Sequence, residues 1–213
     1  MSRSPMIVLR ALGALLGYPR PELREALPEI ADALRASTLI GSADGAAVLR
    51  LVELIAGADP LWSEERYVEL FDRGRATSLH LFEHVHGDAR DRGQAMVELK
   101  AVYEQAGFRL SANELPDYLP VVLEYLSCRE LTEAREMLGD CAHILRSIGE
   151  ALLQRGSPYA SVFQALLGFV GEAGLDAKVA GRRAEEAENL DRDWFEQPAF
   201  APAPPARHPE TRS

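Results

Sequence analysis

Three histidines and a glutamate lie close together near the middle of the sequence, at His80, Glu83, His84 and His86. Imidazole and carboxylate groups are ligands that zinc and related metal ions take in proteins. On an α-helix, His80 and His84 would share one face because they are four residues apart, and Glu83 could add a third ligand. The same residues could instead form an interaction surface or a plain polar face. We favour the interaction surface, and we expect neither a metal ion nor another cofactor.

Covalent and acid–base catalysis find little support elsewhere in the sequence. Ser78 lies near His80, but proximity in sequence does not make the geometry of a Ser-His-Asp triad. Asp88 and Asp91 alternate with arginines, and this setting keeps carboxylates ionised, which suits ion pairing better than general-acid chemistry. The sequence has no phosphate-binding loop, nucleophile elbow or His-Glu-x-x-His motif. We therefore expect that the protein is not an enzyme.

Charge and composition restrict the class of protein further. The 213 residues carry a formal net charge of −10, which argues against binding to nucleic acid or anionic membranes, since both need an excess of Lys and Arg. Cys128 and Cys141 form no Cys-x-x-Cys pair, and free thiols fit a reducing cytoplasm. Arg10 interrupts the apolar stretch near the N-terminus, so we interpret that stretch as a first helix and not as a signal peptide. No run of about 18 apolar residues is present, and we expect a soluble cytoplasmic protein without membrane insertion.

The elements that must position these residues are helices, because apolar residues recur at helical spacing along most of the chain. The residues 115–117 (Leu-Pro-Asp) predict a helix start, and the stripe from Leu119 to Leu126 follows the i, i+3, i+4, i+7 pattern. A longer stripe from Ala134 to Leu152 predicts one helix of five turns. No segment alternates apolar and polar residues as a half-buried strand would. The sequence therefore predicts an all-α, single-domain bundle of about eight to ten short helices.

The composition changes towards the C-terminus. Residues 180–188 are charged and only weakly periodic, and the residues after 197 are rich in proline and alanine. Such a segment cannot bury enough apolar surface to order itself. We predict a helical domain over residues 1–197 and a disordered tail over residues 198–213.

A bundle of this kind is typical of a binding module. Residues 72–93 concentrate charge, histidine and glycine between two apolar regions. Many short amphipathic helices beside one polar segment indicate a groove that accepts a partner helix. Tyr67, Tyr118 and Tyr125 could line such a groove, or each could be an ordinary core tyrosine.

Several longer stretches carry a specific resemblance. They are Tyr67-Val-Glu-Leu-Phe-Asp-Arg-Gly-Arg75, Ser78-Leu-His-Leu-Phe-Glu-His-Val-His-Gly87, Arg90-Asp-Arg-Gly-Gln-Ala-Met96, Glu114-Leu-Pro-Asp-Tyr-Leu-Pro120 and Leu123-Glu-Tyr-Leu126. Together they resemble the nitrate reductase molybdenum cofactor assembly chaperones, the NarJ or delta-subunit family. The residues 16–19 (Leu-Gly-Tyr-Pro) and 194–200 (Trp-Phe-Glu-Gln-Pro-Ala-Phe) extend the resemblance over about residues 5–200.

The resemblance implies a fold related to the helical export chaperones of molybdoenzymes, and a function without catalysis. It implies binding to the catalytic α subunit of respiratory nitrate reductase, at the N-terminal tail of that subunit and at a second, less defined place. It also implies that the αβ complex is held ready for molybdenum cofactor insertion and membrane docking. A chaperone of the same fold for another molybdoenzyme is the alternative. We further expect a monomer.

The same resemblance directs attention to candidate client contacts. Related export chaperones carry Pro-Asp-His where this chain has Pro116-Asp117-Tyr118, so Tyr118 does not inherit the role of a histidine. A client tail that folds as an amphipathic helix needs an apolar floor with polar ends. Leu119, Leu123 and Leu126 could form that floor if the core does not use them all. Asp117 and Glu124 could meet basic client residues. A charged rim could be formed by Arg73, Arg75, His84, His86, Asp88 and Arg90. Arg73 and Arg75 could instead pair only with nearby acids. The candidate client-binding residues are Tyr67, Phe71, Arg73, Arg75, His84, His86, Asp88, Arg90, Asp117, Tyr118, Leu119, Leu123, Glu124 and Tyr125.

Overall fold

The computed structural model describes residues 6–85, 89–111 and 114–176. Over these ranges the chain forms nine α-helices and no β-sheet, which confirms the all-α prediction. The helices are α1 (Ile7–Leu15), α2 (Pro21–Ala36), α3 (Ser42–Gly57), α4 (Pro60–Tyr67), α5 (Ala89–Gln105), α6 (Leu119–Ser127), α7 (Leu131–Asp140), α8 (Ala142–Gln154) and α9 (Ala160–Phe169). The tail proposed for residues 198–213 lies outside the described residues, so the domain boundary at 197 stays a prediction.

The helices pack around one apolar core, and most of them bury an apolar stripe at helical spacing. Helix α1 packs against α2 and α6, α2 packs against α3, and α9 lies between α3 and α8. The contact between α1 and α6 is close because Gly13 faces α6. A Cβ at this position would lie 3.1 Å from both the Leu123 Cβ and the Pro120 carbonyl oxygen. No described helix has the length and the apolar character to cross a bilayer.

Helix ends follow local chemistry in some places and depart from the prediction in others. Asp59 caps α4 by accepting a hydrogen bond from the Trp62 backbone N–H at 3.1 Å, and Pro60 occupies the first helical position. The single helix predicted from Ala134 to Leu152 is wrong, because the chain breaks at Cys141, where φ is −93° and ψ is 1°. Gly139 precedes the break and has a low helix propensity, whereas the apolar stripe continues across it.

The chain between α4 and α5 is not α-helical. It runs through a π-helical turn at Val68–Asp72 and through 3₁₀ turns at Arg75–Thr77 and Leu81–His84. Gly74 is required between the first two turns, since a Cβ there would lie 2.6 Å from the Thr77 hydroxyl and 3.1 Å from the Leu70 carbonyl oxygen. Short π-helical segments of this kind occur frequently at functional sites.

Candidate functional site

An isolated antiparallel bridge between His80 and Tyr118 joins the two most distinctive sequence segments. The Leu119 N–H donates to the Leu79 carbonyl at 2.9 Å, and the Leu81 N–H donates to the Asp117 carbonyl at 3.1 Å. The histidine-rich segment and the start of α6 are therefore fixed side by side. This contact decides the conformation of both segments.

Asp117 is the centre of that junction and is completely buried. Its carboxylate accepts a hydrogen bond from the Phe82 backbone N–H at 3.1 Å, and its other oxygen lies 3.3 Å from the His80 Nδ1. The helix start predicted at residues 115–117 is therefore wrong. Asp117 is buried in this conformation, and its contact with the client stays a prediction. Helix α6 begins at Leu119, and Asp117 instead satisfies a free N–H at the start of the Leu81–His84 turn.

The two histidines predicted to share a helix face do not do so, because the segment leaves the bridge as a 3₁₀ turn. The His84 Nε2 lies 2.9 Å from the Ser78 carbonyl oxygen, whereas His80 faces Asp117. The Ser78 hydroxyl donates to Glu83 at 2.6 Å, and Arg92 donates to the same carboxylate at 3.2 Å. The Ser78 hydrogen bond, with a further contribution from Arg92, lowers the pKa of Glu83. Among the described residues, no group of three His, Cys, Asp or Glu side chains is arranged to hold a metal ion.

A tyrosine cluster connects this junction to the end of α1. The Tyr67 hydroxyl donates a hydrogen bond to the Leu16 carbonyl oxygen at 2.9 Å. The Tyr118 hydroxyl lies 3.0 Å from the Tyr67 oxygen. Because the Tyr67 proton is already donated to Leu16, Tyr118 is the donor between the two tyrosines. The Tyr67 ring contacts Tyr18 edge-on, with 5.4 Å between centroids. Burial raises the pKa of Tyr67 far above its usual range, so the hydroxyl stays protonated. The cluster thus holds Tyr118 in a fixed orientation.

Tyr118 lines a groove of about 610 Å³ between α1 and α6, which we call the polar groove. The small residues Gly13, Ala14 and Gly17 line its α1 side. Its charged groups have both signs, and the exposed pair Arg10 and Glu124 bridges the two helices at 3.6 Å. The lining residues are Arg10, Gly13, Ala14, Gly17, Tyr18, Arg20, Ser111, Glu114, Tyr118, Pro120, Val121 and Glu124.

Of the predicted client contacts that the structure describes, only Tyr118 and Glu124 line this groove. Leu119 and Leu123 are fully buried against the core, so the apolar floor predicted from them does not exist in this conformation. Helix α1 covers that face of α6. Tyr67, Phe71 and Tyr125 are also core residues, with exposed fractions of 6% or less.

The structure describes only part of the predicted charged rim. Arg73, Arg75 and Arg90 are exposed, and none of them lines the polar groove. His84 is half-buried and held by the Ser78 carbonyl. His86 and Asp88 lie outside the described residues.

A second groove was missed by the sequence reasoning. It has a volume of about 520 Å³ and lies between α3, α4 and the turn before α9, and we call it the apolar groove. Leu54 and Trp62 line it, yet both side chains are more than half exposed. Leu54 is not part of the apolar stripe that α3 buries. An apolar residue outside that stripe is a sequence signal that could have indicated this groove. The lining residues are Leu51, Glu53, Leu54, Ile55, Gly57, Ala58, Asp59, Trp62, Ser63, Arg66, Leu70, Ser157, Pro158 and Tyr159.

Comparison with known proteins identifies the family of this chain. The family described as nitrate reductase delta subunit matches residues 19–165. The nitrate reductase molybdenum cofactor assembly chaperone NarJ of Escherichia coli is 45% identical over 197 residues, which cover 90% of this chain and 84% of that protein. A probable chaperone of the same description, NarW of Escherichia coli, is 39% identical over 90% of this chain and 82% of its own length. The probable NarJ chaperone of Bacillus subtilis is 32% identical over 82% of this chain and 94% of its own length. The chain therefore belongs to the nitrate reductase delta subunit family, and its curated relatives are named as molybdenum cofactor assembly chaperones of nitrate reductase.

Proposed function

We propose that this protein is a cytoplasmic, monomeric chaperone that binds the catalytic α subunit of respiratory nitrate reductase. It holds the αβ complex competent for insertion of the molybdenum cofactor and for docking at the membrane, and it catalyses no reaction. The names of the relatives support the chaperone role and the link to cofactor assembly. We further propose that the N-terminal tail of the α subunit binds in the polar groove, and that a second part of that subunit binds elsewhere.

The observation that carries the groove assignment is the position of Tyr118. Tyr118 belongs to the segment 114–126 and lines the groove, while Tyr67, from the segment 66–96, holds its hydroxyl from behind. The segment 114–126 therefore forms part of one wall of the polar groove, and the segment 66–96 supports that wall through Tyr67. Such a pre-organised wall lowers the entropic cost of binding a peptide.

The shape and charge of the groove suit a peptide helix. Ala14 and Gly17 are small and not buried, so a second backbone can approach the end of α1 closely, and Pro120 and Val121 add apolar surface opposite them. Glu124 is already paired with Arg10, but both side chains are at least half exposed. Exposed pairs of this kind contribute little stability, so a basic client residue can replace Arg10 at little expense.

Isothermal titration with a synthetic peptide of the α-subunit tail tests this assignment. Ala14→Trp fills the α1 side of the groove and is expected to weaken binding by at least about tenfold, since a bulky side chain excludes the peptide. Ala46→Trp places the same side chain on an exposed position of α3 outside both grooves and is the matched control. Equal affinities for the two variants would show that the tail binds elsewhere.

The alternative client is another molybdoenzyme served by the same fold. The N-terminal leader of a dimethyl-sulfoxide-type reductase, titrated beside the nitrate reductase tail, separates the two. Tighter binding of that leader would transfer the assignment to the other client.

The charge of the groove is tested by Glu124→Gln, which is expected to weaken the binding only of a peptide with basic residues. Glu136→Gln, on the exposed face of α7, serves as its control.

A further inference from the structure

Most arginine and lysine side chains of the described ranges are held by acids or by carbonyl groups, but some are not. The guanidinium groups that make neither a hydrogen bond nor an ion pair in these ranges belong to Arg20, Arg50, Arg73, Arg75, Arg109 and Arg155. Three of these, Arg73, Arg75 and Arg155, lie together around Gly74, and we call this group the arginine turn. All three are exposed, in a chain whose formal net charge is −10.

Tertiary packing brings the third arginine to this turn, although it is distant in sequence. The Arg75–Thr77 turn packs against α8, and Arg155 is the residue that follows the last turn of α8. The Arg155 side chain reaches the backbone between the other two arginines, since a Cβ at Gly74 would lie 3.0 Å from the Arg155 Nη1. The arginine turn therefore concentrates three positive charges on a small part of the surface.

The backbone of the arginine turn is fixed from the inside. Thr77 is fully buried, and its hydroxyl donates a hydrogen bond to the Leu70 carbonyl oxygen. The Thr77 backbone N–H donates to the Gly74 carbonyl oxygen at 3.0 Å. The backbone that carries Arg73 and Arg75 is therefore ordered before any partner binds, so that binding has to order side chains only.

The chemistry of the arginine turn suits several carboxylates on one partner. Guanidinium groups bind carboxylates through paired N–H donors. Because the three side chains are exposed and line neither the polar groove nor the apolar groove, they suit anionic groups at spaced positions better than one small anion. The net charge of −10 disfavours a long polyanion such as nucleic acid, whereas screening beyond about 8 Å lets a local cluster attract a short acidic segment.

We propose that the arginine turn binds an acidic segment of the nitrate reductase α subunit and is the second contact with this client. The inference rests on the proposed function, in which the tail of that subunit occupies the polar groove. Asp72, which precedes Arg73, connects the two places. Burial raises the pKa of Tyr118, the hydrogen bond with Tyr67 opposes this shift, and the nearby Asp72 carboxylate adds to it. Since Tyr118 lines the polar groove, a client bound there has the arginine turn within reach.

Binding of two designed peptides to the full chain measures the preference for an acidic segment. Each labelled peptide has about 12 residues, which span about 40 Å when extended; one carries glutamates at spaced positions and its twin carries glutamines there. By fluorescence anisotropy, we expect the glutamate peptide to bind at least about tenfold more tightly than its twin and to be released by added salt. No binding up to about 1 mM, equal affinities, or displacement by equimolar inorganic pyrophosphate would overturn the proposal.

Matched variants locate this binding. Arg73→Gln combined with Arg75→Gln is expected to weaken the glutamate peptide about tenfold, and Arg155→Gln alone about threefold, because each exposed ion pair contributes only part of the affinity. Arg50→Gln combined with Arg109→Gln is the control, since it removes the same charge from two arginines that are also exposed and unpaired. All these variants are expected to melt like the wild type. Equal weakening by the two pairs would reduce the effect to net charge and refute the arginine turn.

Capture of the client from native cells separates this inference from the proposed function. A tagged wild-type chain that retains no α subunit would refute the proposed function itself. If the wild type retains the α subunit, we expect the pair Arg73→Gln and Arg75→Gln to retain at least about threefold less of it than the pair Arg50→Gln and Arg109→Gln. Equal retention by the two pairs would overturn the arginine turn as a client contact and leave the assignment of the client intact.

Discussion

Replacing Asp117 tests whether the junction between the two distinctive segments is structural. Asp117→Ala removes a fully buried carboxylate that accepts from the Phe82 N–H and faces the His80 Nδ1. Hydrogen bonds to a charged group contribute about 1.5–3 kcal/mol each, and a buried donor left without a partner costs about 1–3 kcal/mol. Because the two contacts share one group, and methyl burial offsets part of the loss, we expect a net destabilisation of about 3 kcal/mol.

Two related variants separate the two contacts of Asp117. Asp117→Asn keeps one acceptor oxygen for the Phe82 N–H, so its cost is expected to be about half as large. His80→Ala removes only the weaker contact, at 3.3 Å, from a side chain that is already one-third exposed, and is expected to cost about 1 kcal/mol.

Urea unfolding followed by circular dichroism gives the free energy of unfolding for all three variants. We expect the midpoints to fall in the order His80→Ala, Asp117→Asn, Asp117→Ala, with the slope against urea unchanged. An Asp117→Ala protein with a wild-type midpoint would refute the structural role. It would favour the client contact that the sequence predicted for Asp117.

Other variants give further tests. Leu123→Asp places an unpaired charge at a fully buried position and is expected to abolish the cooperative melt, whereas Glu124→Gln next to it melts normally. Arg24→Met removes the donors to the Ile55 and Ala58 carbonyls and is expected to lower stability by about 2 kcal/mol; an unchanged melting temperature would contradict this. Folding lowers the pKa of Glu83, so the ionised carboxylate stabilises the folded protein. This stabilisation is fully present above the ordinary pKa of 4.5 and disappears as the pH falls through the lower pKa of the folded state. The stability difference between wild type and Glu83→Gln, from urea titrations across this range, should shrink in acid, and a constant difference would refute the cause assigned to the shift.

The sequence predicts the helices well because their determinants are local. The stripe from Leu119 to Leu126 gives α6 its buried face, and Asp59 with Pro60 marks the start of α4. The break at Cys141 escapes prediction because the apolar stripe has the same phase on both sides of it.

The site is less predictable because distant contacts determine it. The spacing of His80 and His84 fits a helix, but Asp117, 37 residues after His80, holds that segment as a bridge and a 3₁₀ turn. Periodicity likewise shows that Leu123 is on an apolar face without showing that α1 covers that face. For the same reason, the sequence alone does not show that Trp62 lines a groove formed by α3, α4 and the turn before α9.

The central claim is that this chain recognises the α subunit of nitrate reductase. The direct test is capture of an affinity-tagged chain from its native cells under nitrate respiration, followed by mass spectrometry, with the Ala14→Trp and Ala46→Trp variants run in parallel. We expect the α subunit, with its β subunit, to be the main protein retained by the wild type and by Ala46→Trp, and to be depleted from Ala14→Trp. Retention of a different molybdoenzyme, or of the α subunit in equal amounts by all three proteins, would contradict the client or the groove assigned to it.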